Sequence, residues 1–307
     1  MSTKTILLTG ATGLVGTALV DSLLQKGYLL HVLTTRKPLP RKKKSLHFFH
    51  WDPAKGELDI QAMEGVTDII HLAGASIAEK SWTAKRKIEI LESRTKSAAL
   101  LLSACKRQGI KLQSFISASA IGFYGDRGNQ LLTEKELSGS DFLAEVCKAW
   151  EHAAWQFQDV AERVCVGRIG IVLDRSGGAL PELMRTMPFG IAGYFTKKPL
   201  FTSWIHLRDL VSAFCFLLEQ KKTNGCFNLT APQPVEHIDL ISALRNTFHP
   251  AALLMPVPTI ALTLSMGERA TLVLTSQRCS AEKIIQAGFS FQYPSLLDAL
   301  PALPPAV

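Results

Sequence analysis

The chain has 307 residues, of which 47% are hydrophobic and 20% are charged, and its formal net charge is +8. This composition excludes a mostly disordered chain and predicts a soluble globular protein with a sizeable buried core. Residues 36–44 include six basic residues, which indicate either a solvated loop or an anion site; no aromatic platform accompanies them, so nucleic-acid binding is not expected.

Strands and helices alternate from the start of the chain. TILLTG predicts a strand, and LVGTALVDSLLQKG has helical spacing and ends at Gly27. Further strands are predicted for LLHVLTT, SLHFFHW, VTDIIHLAG, LQSFISASA and RVCVGRIGIVL, and helices for residues 82–108 and for SDFLAEVCKAWEHAAWQF. This alternation predicts an α/β fold with a Rossmann-like, doubly wound parallel sheet.

The regular alternation loosens after residue 174. We predict that residues 1–174 form the Rossmann-like domain and that residues 203–230 return to it. Residues 175–202 and 231–307 are predicted to form a small C-terminal α+β lobe on the substrate side. A ligand cleft is then expected between sheet and lobe, at the carboxyl ends of the strands.

Several kinds of segment and site are not predicted. The N-terminus lacks a signal-peptide apolar core, and the longest uncharged run, residues 250–267, is shorter than the roughly 20 apolar residues of a membrane span. The six cysteines are scattered singly, without metal-ligand or redox spacing. We therefore expect reduced thiols, no metal, no membrane association and a cytoplasmic monomer or homodimer.

The strongest motif is LLTGATGLVGTAL, which joins the first strand to the first helix. Gly10 would allow a sharp turn, Gly13 would let the backbone approach a pyrophosphate, and Gly16 would let the helix pack closely on the strand. The start of the helix adds free N–H groups and a positive dipole. The residues assigned to this phosphate site are Gly10, Thr12, Gly13, Leu14, Val15 and Gly16.

The end of the second strand indicates which dinucleotide is bound. A carboxylate about 20 residues beyond the glycines would hold the 2′-hydroxyl of NAD, but the strand ends LTTRKP, with no acid nearby. Thr35, Arg36 and Lys37 instead offer groups that suit a 2′-phosphate. The sequence therefore predicts NADP as the cofactor.

The chain resembles the extended branch of the short-chain dehydrogenase/reductase superfamily. More closely, it is similar to the atypical bacterial "epimerase family" proteins, often labelled nucleoside-diphosphate-sugar epimerases. The motifs that carry the resemblance are TGATGLVG, HLAGASI, ESRTKS, SASAIGFYG, FLAEVCKAWE, RIGIVL, SWIHLRD and GERATLVLTSQR. The resemblance implies NADP binding, with Leu72, Ala73 and Gly74 of HLAGASI at the cofactor.

The resemblance also implies a set of catalytic positions. In the superfamily, a serine or threonine after the fifth strand polarises the substrate oxygen. A tyrosine four residues before a lysine moves the proton, and the lysine also binds the nicotinamide ribose. Ser119 and Lys148 match this pattern, but Ala144 stands at the tyrosine position. Tyr124 is the nearest substitute, unless it is a wall residue of the pocket, and His206 is either a second substitute or a packed strand residue.

Two classes of function therefore stay open. The first is an NADP-dependent oxidoreductase or epimerase that acts on a small hydroxylated or sugar-nucleotide-like substrate. The second is a catalytically silent NADP-binding sensor or regulatory protein. The joint presence of Ser119 and Lys148 favours the first class.

Overall fold

The computed structural model describes residues 4–37, 44–196 and 199–304. Residues 38–43, which make up most of the basic segment, lie outside the described ranges. The two alternatives for this segment, a solvated loop or an anion site, therefore stay predictions. The first elements are β1 (Thr5–Thr9), α1 (Leu14–Gln25), β2 (Leu29–Thr34), β3 (Leu46–Asp52), β4 (Glu57–Leu58), β5 (Val66–His71), α2 (Ala84–Gln108), β6 (Ser114–Ala120), β7 (Leu131–Leu132), α3 (Phe142–Trp155) and β8 (Val164–Ile169).

The second half of the chain contains shorter elements. No helix in the described ranges is both long enough and apolar enough to cross a membrane. The elements are β9 (Ile171–Leu173), α4 (Leu180–Met184), β10 (Ile191–Phe195), β11 (Phe201–Thr202), β12 (Trp204–His206), α5 (Leu207–Glu219), β13 (Gly225–Leu229), β14 (Val235–Glu236), α6 (His237–Phe248), β15 (Leu253–Val257), α7 (Thr259–Met266), α8 (Thr271–Leu274), β16 (Arg278–Cys279), α9 (Glu282–Gln286) and α10 (Leu296–Ala299).

The main sheet has eight strands in the order β13-β8-β6-β5-β1-β2-β3-β4. The strands pair in parallel except β4, which runs antiparallel to β3 at the edge. The order reverses on either side of β1, so the chain winds outward in both directions. This is the Rossmann-like, doubly wound α/β sheet that the alternation of elements predicts.

Alternate residues of the strands point to two separate cores, as the period of two requires. Ile6 and Leu8 belong to the core that α1 and α5 cover. Leu7 and Ile69 belong to the opposite core, which α2 covers. With both faces covered, the central strands are buried along nearly their whole length, and even their polar residues, such as Asp68 and His71, are inaccessible to solvent.

The boundaries of the long helices follow from their capping residues. The side chain of Thr83 accepts a hydrogen bond from the backbone N–H of Arg86 at the start of α2, and Gly109 ends that helix with a φ of 63°. At the start of α3, Asp141 accepts from the N–H of Ala144 at 2.9 Å. This cap sets the starting point of the helix that carries the candidate catalytic residues.

The predicted sixth strand, RVCVGRIGIVL, is two strands in the structure. Its first part is β8 of the main sheet, and its second part, β9, pairs with β12 instead. The chain turns at Gly170, where a Cβ would lie 2.6 Å from the carbonyl oxygen of Ser203. A single continuous strand was therefore wrong, because the close approach of the 203 backbone redirects the chain.

A separate apolar core lies under the C-terminal elements. It includes residues from α4, α6 and α10, among them Leu180, Leu240 and Leu296. Within the segment 203–230, α5 packs in the core beside α1, and β13 joins the main sheet next to β8. The domain boundaries at 174/175, 202/203 and 230/231 stay a prediction.

Candidate functional site

The glycine loop between β1 and α1 has three glycines with different surroundings. Gly10 has a φ of 71°, and a Cβ there would lie 2.8 Å from the backbone carbonyl of Leu72. A Cβ at Gly16 would lie 2.1 Å from the carbonyl oxygen of Gly10. At Gly13 the nearest atom would be 3.5 Å away, an ordinary contact. Gly10 and Gly16 are therefore required by the backbone, whereas Gly13 leaves space in front of the helix.

The first turn of α1 is open to an anion. Gly13 is its N-cap and provides no side-chain hydrogen bond, so the first N–H groups keep their donor capacity. Thr12 is exposed, while Leu14 and Val15 are partly buried at the start of the helix. The loop and helix thus form the cradle that a pyrophosphate needs.

A cavity of about 470 Å³ opens beside this loop, at the carboxyl ends of β1 and β2. Thr35 and Arg36 line it and are exposed, while Lys37 is exposed without lining it. Trp51 and Asp52, at the end of β3, form part of its wall. They were missed in the sequence because only the end of the second strand was considered, although β3 lies next to β2.

The segment after β5 closes the cavity and is held by a hydrogen-bonded chain. Thr9 Oγ1 accepts from the backbone N–H groups of Leu72 and Ala73, both at 3.1 Å. It also contacts His71 Nδ1 at 2.9 Å, and His71 Nε2 lies 3.1 Å from Ser97 Oγ. The cavity lining includes Ala73 and Gly74 but not Leu72.

Three buried histidines make the stability of the fold depend on pH. Burial lowers the pKa of His71, His206 and His237 from 6.5 to about 4. The unfolded chain therefore binds more protons than the folded one between these values, so the free energy of unfolding should fall as the pH falls from 6.5 to 4. Denaturant titrations across this range would measure the decline.

One variant separates the effect of a histidine on the free energy of unfolding from that of the carboxylates, which also titrate toward pH 4. His237→Phe removes one of the titrating groups, so its stability should decline less between pH 6.5 and pH 4 than that of the parent. An identical decline in both proteins would contradict the assignment.

A second cavity, of about 210 Å³, lies between the main sheet and the C-terminal elements. Its lining residues come from the ends of β6 and β8, from α3 and from α6 and α8. Arg94 of α2 lies at its edge, and its guanidinium carbon is 4.7 Å from the centre of the Trp150 ring. A cavity thus lies at the carboxyl ends of the strands, where the architecture predicts a ligand cleft, and its use by a ligand stays a prediction.

Ser119 lies at the end of β6 as predicted, but its hydroxyl is buried and already has an acceptor. It donates to Glu151 Oε1 at 2.8 Å. Glu151 in turn forms a two-point ion pair with Arg168, with both N–O distances at 2.8 Å. Burial lowers the pKa of Arg168, but the hydrogen bonds and charge of Glu151 outweigh it and raise that pKa above its usual value. Ser119 thus belongs to a buried polar network.

Tyr124 belongs to the same network and does not enter the cleft. Its side chain is fully buried, its hydroxyl donates to Asn228 Oδ1 at 2.6 Å, and it accepts from Arg168 Nη1 at 3.0 Å. Burial raises the pKa of the phenol above its usual value. The expectation that Tyr124 replaces the absent tyrosine is corrected here, because its hydroxyl already has a donor and an acceptor within the core.

His206 uses one ring nitrogen in the fold, while its buried Nε2 has no hydrogen-bond partner among the described residues. Its Nδ1 accepts from the backbone N–H of Arg208 at 3.1 Å, and its ring lies 4.0 Å from that of Tyr293. It caps α5 and does not line the second cavity. The packed-residue interpretation therefore describes it better than the catalytic one.

The face of α3 that meets the second cavity differs from the one expected. Lys148 has a side chain that is 45% exposed and pairs with Glu145 at 3.0 Å, and it lines neither cavity. Ala144 is fully buried and also absent from the lining. The role of Lys148 at the cofactor and substrate therefore stays a prediction that its position does not support: an i, i+4 spacing shows that two residues share a helix face but not which face it is.

Two i, i+4 pairs of α3 face the cavity, Leu143 with Cys147 and Val146 with Trp150. A Cβ on Gly122, just beyond β6, would lie 3.5 Å from Leu143 Cβ and 3.8 Å from Cys147 Sγ. Burial raises the pKa of the Cys147 thiol to about 12, so the group is neutral. The positions nearest the cleft thus carry an apolar side chain and a protonated thiol.

No group of three or more histidine, cysteine, aspartate or glutamate side chains in the described ranges is arranged to hold a metal. The six cysteines are free, and five of them are buried.

The sheet, the glycine loop and the adjoining cavity together define a dinucleotide-binding protein of the Rossmann type. Residues 6–147 match the model of the NAD dependent epimerase/dehydratase family, and residues 257–303 match a domain of unknown function, DUF1731. An epimerase family protein of Staphylococcus saprophyticus is 34% identical over 300 residues, which cover 97% of this chain and 98% of the relative.

Solved structures show the same fold. The human epimerase family protein SDR39U1 (isoform 2), solved with NADPH, aligns with a TM-score of 0.85 and 24% identity over 96% of this chain and 97% of its own. A nucleoside-diphosphate sugar epimerase of Corynebacterium glutamicum aligns with a TM-score of 0.77 and 31% identity, over 97% of this chain and 57% of its own. The chain belongs to the epimerase family, an atypical group of the short-chain dehydrogenase/reductase superfamily.

Proposed function

We propose that the protein binds NADP in the first cavity and acts as an oxidoreductase or epimerase on a small hydroxylated or carbonyl substrate in the second. The observation that supports NADP most directly is the end of β2, where Thr35 and Arg36 line the cavity and no carboxylate follows the strand. The NADPH in the human structure belongs to that protein and agrees with the proposal.

The residues around the first cavity suit the chemistry of the cofactor. The first turn of α1 and the space in front of Gly13 would hold the pyrophosphate, and Arg36 would pair with a 2′-phosphate. When bound, the nicotinamide would supply or accept a hydride. The segment 73–77 borders both cavities, since Ala73 and Gly74 line the first and Ile77 lines the second.

Exchange of Arg36 for aspartate tests the cofactor assignment. Arg36→Asp replaces attraction by repulsion at the 2′-phosphate, so NADPH affinity should fall roughly 10–100-fold, the value of a charged hydrogen bond, while NADH affinity holds or rises. Calorimetric titration measures both constants. Arg107→Asp makes the same charge change at the far end of α2 and should leave both constants near those of the parent; equal losses in the two variants would contradict the assignment.

A second substitution tests the phosphate cradle. In Gly13→Val the Cβ makes only an ordinary contact with the loop, so the fold should survive. The branched side chain would then fill the space in front of the helix, and NADPH binding should become undetectable by calorimetry. Undiminished affinity in a folded variant would mean that the nucleotide binds elsewhere.

A silent NADP-binding sensor is the second candidate, and one observation favours it. The α3 residues that line the cavity are Leu143, Val146, Cys147 and Trp150, so this helix presents no tyrosine or lysine to it. Ser119 and Lys148, whose joint presence favoured an enzyme, do not meet in the structure. Oxidation of NADPH by a small carbonyl compound would separate the two candidates.

A further inference from the structure

We propose that the second cavity takes a small molecule with a largely apolar body and one neutral oxygen group, a carbonyl or a hydroxyl, and that His237 recognises this oxygen. This inference rests on the proposed function, because the bound molecule is a substrate only if the protein catalyses a reaction on it. Such a ligand differs from the nucleoside diphosphate sugars that the family's usual label suggests as substrates.

His237 carries a buried polar ring at the second cavity. It begins α6, lines the second cavity and is only 4% exposed. Its Nε2 is fully buried and has no hydrogen-bond partner among the described residues. Buried polar atoms in native proteins are nearly always hydrogen-bonded, so an unpaired imidazole nitrogen on a cavity wall points to a ligand atom.

The ring is held in place and electrically neutral. It stacks on Phe195 with the two ring centres 4.4 Å apart and the planes 8° from parallel. Since burial lowers the pKa of His237 to about 4, the imidazole carries one N–H donor and one acceptor nitrogen at neutral pH. Such a ring can donate to a carbonyl oxygen, or donate to and accept from a hydroxyl, and it offers no positive charge for a phosphate.

The remaining walls of the cavity are mostly apolar. They include Leu143, Val146, Trp150, Ile171, Leu240 and Val273. Arg94 is the one arginine or lysine among the described lining residues, and its Nη1 already donates to the carbonyl oxygens of Ala75 and Ile90 at 3.1 and 2.9 Å. The lining also contains polar side chains, but those of Asp141, Ser203 and Gln277 already bond to backbone groups. The indole N–H of Trp150 is a second buried donor without a hydrogen-bond partner among the described residues. A sugar with several hydroxyls would therefore find few free partners in these walls.

The size of the cavity agrees with this chemistry. Its volume of about 210 Å³ is below the range of roughly 300–1,000 Å³ that encloses drug-sized ligands. A nucleoside diphosphate sugar is at least of that size and carries two phosphates that need several donors. A ring or short chain with one oxygen fits the volume and the walls.

The test measures the binding of three probes, cyclohexanone, acetophenone and UDP-glucose, to the full-length protein with and without saturating NADP⁺. Binding is followed by ligand-observed NMR and calorimetry. The two ketones should bind and UDP-glucose should not. His237→Phe keeps the stacked ring but removes both nitrogens, so ketone affinity should fall about three- to tenfold, the effect of one neutral hydrogen bond.

Two further variants make the result specific. His237→Gln restores a donor and an acceptor and should keep most of the affinity. His206→Asn changes an equally buried histidine that does not line the cavity, retains an acceptor for the helix cap, and should bind the ketones as the parent does.

Three results would overturn the inference: UDP-glucose that competes with the ketones, ketone affinity that is unchanged in His237→Phe, or no binding of either ketone up to its solubility. Failure of the proposed function looks different. Ketone binding that depends on His237 without any oxidation of NADPH would support the cavity assignment and contradict hydride transfer, and NADPH that does not bind at all would contradict the cofactor site alone.

Discussion

Replacement of Arg168 by leucine is expected to destabilise the protein by about 3–5 kcal/mol, the cost of leaving a buried charge without its partner. Arg168 and Glu151 are both nearly inaccessible to solvent and are joined by two bonds of 2.8 Å. The substitution also removes the donor to the Tyr124 hydroxyl. Denaturant titration at neutral pH would measure the loss as a lower midpoint with an unchanged slope.

The matched control removes both charges. In Arg168→Leu with Glu151→Leu no uncompensated charge stays in the core, so the double variant should be more stable than the single one. A single variant within about 0.5 kcal/mol of the parent, as for an exposed site, would show that the pair is not buried as described. A double variant no better than the single one would locate the cost in lost packing instead.

The double variant Leu143→Tyr with Cys147→Lys is expected to reduce ketones with NADPH faster than the parent. The expected gain is roughly 10²–10⁴-fold, the usual contribution of a positioned acid–base group. Leu143 and Cys147 form one of the two i, i+4 pairs of α3 that line the second cavity, and they lie beside Gly122 at the end of β6. The new phenol would face the substrate, with the ammonium one helical turn away to favour its ionised form. The initial rate with acetophenone would measure the gain.

The neighbouring pair on the same helix supplies the control. Ala144→Tyr would create the same spacing with the natural Lys148, but Ala144 is fully buried and Lys148 faces solvent beside Glu145. This variant should gain no activity and should lose about 1–3 kcal/mol of stability through overpacking. A faster Ala144→Tyr variant, or a folded, NADPH-binding double variant without any gain, would contradict the assignment of the cavity-facing side of α3.

The fold could be predicted because local signals and global architecture agree. The alternation of apolar strands and helices is enough to indicate a parallel doubly wound sheet. The long helix predicted over residues 82–108 begins at Ala84 and ends at Gln108 in the structure, because Thr83 and Gly109 are strong capping residues. The role of each glycine in the loop between β1 and α1 could be predicted separately. Each of these glycines lies close only to backbone atoms a few residues away or at the end of the adjacent strand.

The catalytic residues could not be predicted in the same way. Which side of α3 faces the cleft depends on how the helix packs on β6, and the spacing of its residues does not contain that information. Ser119 and Tyr124 find partners in Glu151, Arg168 and Asn228, which come from other parts of the chain.

Two residues at the second cavity were missed for a similar reason. The sequence contains a signal for Arg94, because a basic residue on the buried face of a long helix needs hydrogen-bond or ion-pair partners. His237 had none, because nothing in its sequence neighbourhood indicates that the C-terminal elements bring it into the cleft.

The measurement that tests the central claim most directly is the affinity of the purified parent protein for NADPH and for NADH under identical conditions, by calorimetry. If Thr35 and Arg36 at the end of β2 hold a 2′-phosphate, NADPH should bind with a dissociation constant at least roughly tenfold lower than that of NADH, equivalent to 1.4 kcal/mol or more. Equal constants, or tighter binding of NADH, would contradict the account.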